Sequence, residues 1–225
     1  MIETLLQERS GRKRPRLDDK VIAGWNGLMI AAFAEAYAEL GDPAHLTAAE
    51  NAWHHLQTKQ STEDGRLFRT FREGVPKGEA YQEDYAFVTR GLLALHNATN
   101  DSQYLEDAIR LHSTADSLFW DEEGMSYYFT AGHEQLLVRQ KATRDSAIPS
   151  GNAEAVNNLL TLAERTGIDA YRDRAGLILG GLTAEMESNP GSHNRMILGA
   201  LRYLRRVAPE AAYESRSVVS VSSDW

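Results

Sequence analysis

Helical text in this chain alternates between two kinds: segments apolar on nearly every face, and segments with a single apolar stripe. Residues 26–40 (NGLMIAAFAEAYAEL) interrupt their apolar surface only at Glu35 and Glu39, and Gly41-Asp42-Pro43 ends them, as glycine and proline do just past a helix. The following segment sets Leu46, Ala49, Trp53 and Leu56 at steps of three and four, the pattern of a helix with one buried face. The pair then recurs. Residues 84–99 are apolar almost all round, Asn100-Asp101-Ser102 breaks them, and 103–118 carries a stripe through Tyr104, Ala108, Leu111, Ala115 and Leu118. A third pair runs over 152–166 and 171–186 with Gly167 between them, and 194–207 reads as the first helix of a fourth.

A helix that is apolar all round needs cover on both sides, whereas a one-striped helix lies outside it. The alternation therefore predicts an all-α fold of helical hairpins in two layers, an internal repeat. Trp25, Asp84 and Asn152 take equivalent positions at the starts of the all-round helices, 59 and 68 residues apart. An open solenoid and a closed or part-closed double ring both fit. Turns within pairs are short, but the linkers over 60–83, 119–149 and 188–193 are longer, and two hold strand-like text at 66–71 and 125–130. Long linkers gathered at one end of a ring are where sites are built. The expected division is an N-terminal loop segment over 1–24, a helical hairpin domain over 25–210 and a tail over 211–225.

Composition excludes several functions. The 225 residues carry a net charge of −8, which argues against a global electrostatic grip on nucleic acid. The basic run Arg9, Arg12, Lys13, Arg14 and Arg16 has neither aromatic interleaving nor a motif, so it reads as a solvated loop. With no cysteine, disulfides, thiolate metal sites and a thiol nucleophile are excluded within the chain. No apolar run reaches the length of a membrane span and no signal peptide opens the chain, so no membrane partner is expected and the cytoplasm is the expected location. Metal-binding, phosphate-loop and dinucleotide fingerprints are all missing, so neither metal nor cofactor is expected.

The residues with chemical potential sit where long linkers meet the all-round helices. If those helices run parallel, Asp19, Lys20, Trp25 and Asn26 meet Glu83, Asp84 and Tyr85, and these meet Arg139, Asp145, Ser150 and Asn152, around one cavity. Aromatic faces that stack on C–H surfaces, beside carboxylates, amides and guanidiniums that read hydroxyls, suit a sugar. Glu83, Asp84 and Asp145 are the candidate catalytic carboxylates, since glycoside hydrolysis takes one protonated and one ionised carboxyl; the others are candidate substrate contacts. Each has a structural alternative. Asp84, Ser150 and Asn152 would be helix caps, Trp25 and Tyr85 would be core, and Lys20 would only pair with Asp18 or Asp19.

Three strings, RPRLDDKVIAGWNGLMIAAFAEAY, YQEDYAFVTRGLLALHNAT and RDSAIPSGNAEAVNNLLTLA, together resemble the C-terminal region of the thioredoxin-domain-containing family that includes spermatogenesis-associated protein 20. The resemblance covers residues 12 to 207 and falls on Asp19, Lys20, Trp25, Asn26, Gly27, Glu83, Asp84, Tyr85, Asp145, Pro149, Ser150 and Asn152. It implies an (α/α)6 toroid related to six-hairpin glycosidases and N-acylglucosamine 2-epimerases, and hence a glycosidase- or epimerase-like activity on a sugar. A non-catalytic scaffold that binds a carbohydrate or a thioredoxin-like domain is the alternative. The chain departs from the family in lacking the thioredoxin-like domain and its cysteine motif, and in having Ser146-Ala147 where a glycine often follows the aspartate. It holds about three and a half hairpins where a closed ring needs six, so a partial ring is expected, with the missing hairpins on another segment or chain.

Overall fold

The computed structural model describes residues 2–132 and 136–207. Helix α1 (Ile2–Ser10) precedes a two-residue strand β1 (Val21–Ile22), and the first hairpin follows as α2 (Ala23–Leu40) and α3 (Pro43–Lys59). Strands β2 (Phe68–Arg72) and β3 (Val75–Glu79) lead into the second hairpin, α4 (Gln82–Thr99) and α5 (Ser102–Phe119). Strands β4 (Trp120–Asp121) and β5 (Ser126–Tyr127) precede the third, α6 (Gly151–Thr166) and α7 (Asp169–Ser188), and α8 (Asn194–Val207) begins a fourth. None of the described helices is long and apolar enough to cross a membrane.

Local chemistry explains the hairpins. Gly41 and Gly167 close α2 and α6 in the left-handed conformation, at φ 73° and 74°, where glycine carries no Cβ penalty. Asp42 and Asp101 start α3 and α5 by accepting from Ala44 N and Gln103 N, each satisfying a backbone donor that the first helical turn leaves unpaired. Helices α2, α4, α6 and α8 pack side by side in a row, and α3, α5 and α7 cover them on one side. The inner α4 and α6 are buried around most of their circumference, whereas α3 buries only Ala49, Trp53 and Leu56. Leu92, Leu95, Leu159 and Leu162 are fully buried between the layers, each contributing about 1.5–3 kcal/mol.

Helices α2 and α4 touch through their backbones. A Cβ on Gly27 would lie 2.5 Å from the Phe87 carbonyl carbon and the Val88 nitrogen, and one on Gly91 would lie 2.9 Å from the Gly27 oxygen.

The linker between the first two hairpins forms an antiparallel sheet in the order β1-β2-β3, with Ile22 opposite Thr70 and Thr70 opposite Lys77. Its tight turn has Glu73 and Gly74 both at positive φ, as a hairpin matched to strand twist requires. The second strand-like segment, expected over 125–130, pairs only at Ser126 and Tyr127.

Two expectations need correction. The 1–24 segment is not all loop, because Ile2–Ser10 is helical; it buries no residue, so local propensity and not packing makes it a helix. The first inner helix starts at Ala23 rather than at residue 25 or 26. The proposed tail over 211–225 lies outside the described residues.

Candidate functional site

The inner helices begin at one end of the molecule. Gly24 N, at the start of α2, donates to Asp84 Oδ1 at 2.9 Å. Gln82, at the start of α4, donates through Nε2 to the Gly151 carbonyl at 3.2 Å. Asp145 accepts from Ser150 N at 2.9 Å and from Arg195 N at 2.8 Å, pinning the starts of α6 and α8 with one carboxylate. The N-termini of α2, α4, α6 and α8 thus share a rim.

At that rim Asp84 is 1% exposed, and both its oxygens are engaged. Besides Gly24 N, it accepts from Tyr81 N at 2.9 Å and from Arg69 Nη1 at 2.7 Å. It is the third helical residue and not the N-cap, a position Tyr81 takes. Glu83 meets the same Arg69 nitrogen at 3.2 Å and keeps more solvent contact. Burial and the neighbouring Asp84 push the Glu83 carboxyl above its usual range, against the pull of Arg69. The Arg69 guanidinium lies 4.4 Å over the Tyr81 ring, and Tyr81 packs on Phe129 at 4.5 Å. Of these two half-buried rings, Tyr81 is the one that meets the guanidinium shared by the carboxylate pair.

The other expected residues spread around this rim in different roles. Tyr85 is in the core; its hydroxyl accepts from Leu67 N at 2.9 Å, its ring edge meets Phe119, and burial pushes its pKa up to about 12. Trp25 is not core, being 57% exposed on α2. Asn26 donates back to the Ile22 carbonyl at 2.9 Å, Asp19 pairs with Arg72, and Lys20 pairs with Asp18 at 3.3 Å. Ser150 caps α6 by accepting from Ala153 N. Asn152 is not a cap: fully buried, it accepts from Tyr127 N and donates to the Tyr127 and Ala142 carbonyls. Arg139 donates to the Thr130 carbonyl at 2.6 Å and lies over the Tyr128 ring.

Below the rim, the inner helices carry a polar face that apolar periodicity did not single out. A cleft of about 210 Å³ runs along them, lined by Glu35 of α2, Arg90 of α4, Glu154 and Asn158 of α6, and Arg195 and Arg202 of α8. Glu154 is wholly buried and takes a bidentate pair from Arg195, at 2.8 Å from Nε and 2.7 Å from Nη2. Such fork-to-carboxylate geometry is the strong form of the interaction. Arg202 donates to Asn157 and Thr161. A second, more open depression of about 360 Å³ lies at the rim along 145–149 and shares Arg195 with the cleft. The readable signal was the spacing of Glu154, Asn157, Asn158 and Thr161, a polar stripe at helical period inside an otherwise apolar helix. Among the described residues, no group of three histidines or carboxylates is placed to hold a metal ion.

A row of parallel inner helices sheathed by outer partners, with long linkers crowded at one rim, defines half of an (α/α)6 toroid. Solved structures agree on that fold. The GH76 alpha-mannanase of Bacteroides thetaiotaomicron superposes with a TM-score of 0.62 at 17% identity, over 78% of this chain and 46% of that one. Cellobiose 2-epimerase from Bacillus thermoamylovorans gives 0.61 at 16% identity, over 74% and 45%. The GH76A alpha-1,6-mannanase of Salegentibacter sp., solved as a variant inactive through two consecutive aspartate changes in complex with alpha-1,6-mannotriose, gives 0.59 at 16% identity, over 80% and 52%.

In sequence the chain is a homologue of spermatogenesis-associated protein 20, at 36% identity to the Homo sapiens protein and 36% to that of Rattus norvegicus, each over 87% of this chain. It spans 26% of the length of those relatives. No family model matches it.

Proposed function

We propose that the chain forms the sugar-binding half of a carbohydrate-active toroid, with hydrolysis of a glycosidic bond as its chemistry. The observation that carries this reading is the polar cleft on the inner helices, together with a carboxylate pair that shares Arg69 beside the Tyr81 ring at the rim where those helices begin. Glu83 is the proton-transferring carboxyl. It keeps solvent contact and its pKa is raised, which suits a general acid. Asp84 and Asp145 hold the rim in place, since both oxygens of each accept hydrogen bonds within the chain. A consecutive acidic pair is also what was changed in the inactive Salegentibacter mannanase variant. Epimerisation has less support: it needs a base aimed at one carbon, and His193 at the start of α8 is fully buried against the Asn189 carbonyl.

The engagement of Asp84 and Asp145 favours a second reading, a scaffold that binds sugar without turnover. In either case the remaining hairpins, or a thioredoxin-like domain, cover the ends of the helix row. A panel of mono- and disaccharides and aryl glycosides, scored for binding by calorimetry and for product release, tests both readings. Turnover lost in Glu83→Gln with binding retained supports the hydrolase; binding without turnover in the unmodified chain supports the scaffold; no binding to any saccharide refutes both.

A further inference from the structure

Glu83 and Asp84 meet one nitrogen of Arg69, and they meet it unequally. Asp84 Oδ2 accepts from Nη1 at 2.7 Å and Glu83 Oε1 at 3.2 Å. Their other surroundings divide them further. Every partner of Asp84 is a donor, with Gly24 N on one oxygen and Tyr81 N and Arg69 on the other. A carboxyl O–H needs an acceptor, so a proton on either oxygen of Asp84 competes with an N–H already there. Glu83 Oε2 accepts from no described residue, and the side chain keeps solvent contact. Burial raises both carboxyls and Arg69 lowers both; two backbone N–H groups pull Asp84 down further, whereas the Asp84 charge pushes Glu83 up. Tyr85, the next titratable group along α4, has its pKa pushed up to about 12 by burial and stays neutral while the pair titrates.

Arg69 itself is fixed from three sides. Gln60, fully buried, donates through Nε2 to the Phe68 and Arg69 carbonyls at 3.1 Å each and to the Val21 carbonyl at 3.3 Å, which pins the backbone of β2. The guanidinium face rests on the Tyr81 ring, and Nη1 takes the two carboxylates. A charge anchored in this way is in place before either carboxyl titrates. We infer that Arg69 is the positioning residue of the rim: by gripping Asp84 more closely than Glu83 it keeps Asp84 ionised and leaves the exchangeable proton of the pair on Glu83 Oε2. The inference rests on the hydrolase reading, in which Glu83 transfers that proton, and adds the residue that assigns the proton to it.

Carbon NMR of the side-chain carboxyls across pH, on the full chain and with each signal assigned through bonds, tests it. In the unmodified chain Glu83 is expected to take its proton at a higher pH than Asp84. Arg69→Gln is expected to raise the Asp84 midpoint more than the Glu83 midpoint, so that the gap between them narrows or closes, because the closer and more buried partner loses more when the cation goes. Arg69→Lys, which keeps the charge, is expected to restore most of the gap, and Arg72→Gln, on the same strand, to leave it unchanged. An Asp84 midpoint at or above that of Glu83 in the unmodified chain would overturn the inference, and so would a gap that survives Arg69→Gln. Should Arg69→Gln not fold, the order of the two midpoints in the unmodified chain decides by itself. No saccharide enters this titration. Absence of turnover therefore refutes the hydrolase reading with the order of the carboxyls intact, whereas loss of that order removes the role of Arg69 and leaves any measured turnover standing.

Discussion

Asp84 ties three pieces of chain together: the start of α2 through Gly24, the start of α4 through Tyr81, and strand β2 through Arg69. Removing its charge leaves Arg69 with only the looser Glu83 contact. Asp84→Asn is expected to cost about 3–5 kcal/mol, the range for breaking a buried ion pair, read as a lower urea midpoint at unchanged slope. Asp84 stood out in the sequence because a carboxylate at the start of an all-round apolar helix needs a reason. Its actual partners did not, since Gly24 and Arg69 lie far from it along the chain. Tyr85 shows the same limit: its aromatic character was plain, but only the fold shows the hydroxyl bound to Leu67 N. A second residue sets a pH response. Burial holds His112 below the ordinary histidine value of 6.5, with Asp116 opposing and Arg174 assisting; Tyr171 packs edge-on against its ring. The unfolded chain therefore binds this proton more readily than the folded one. Stability attributable to His112 is present above pH 6.5 and is lost as pH falls through its folded value. Chemical denaturation between pH 7.5 and 5 is expected to show that loss in the unmodified chain and a flatter profile in His112→Gln.

At the scale of elements, the helices were legible because their apolar patterns differ in kind and their turns carry Gly, Asn or Asp at the ends. Helix α1 was missed because it buries no residue and leaves Leu5 and Leu6 more than half exposed, so it has no stripe fitted to a neighbour. The polar face of α6 was passed over for a related reason. Glu154 is tolerable in a buried position because Arg195 reaches it from α8, forty-one residues later, with Arg90 of α4 at 3.7 Å, and a local window cannot see that pairing. The α2–α4 contact makes a sharp prediction. Gly27→Ala must push a methyl into the Phe87–Val88 backbone, which cannot rotate away as a side chain could. The helices must separate, at a cost of about 1–3 kcal/mol or more. Thermal unfolding should show a clear drop for Gly27→Ala and almost none for Gly180→Ala, whose added Cβ meets nothing within 4 Å.

At the scale of the whole molecule, the described residues form a row with two open ends. On α2 the exposed Trp25 and Met29 lie one helical turn apart, and on α8 Leu198, Leu201 and Leu204 are all nearly half exposed. Apolar surface repeated along a helix marks an interface, and in a ring of this type each end of the row meets another hairpin. On its own the chain is expected to self-associate through these ends. Sedimentation velocity should show a concentration-dependent shift that Trp25→Ser with Leu201→Ser reduces. The repeat made the two layers readable from sequence; the partial ring followed from counting hairpins against the family resemblance.

Asp145 joins the row's last two inner helices at their tips, one oxygen on Ser150 N and the other on Arg195 N. That single carboxyl group acts as a pivot for α8, and α8 supplies two of the guanidiniums facing the cleft. A side chain that meets only the backbone of α8 thus helps set where both of those guanidiniums stand.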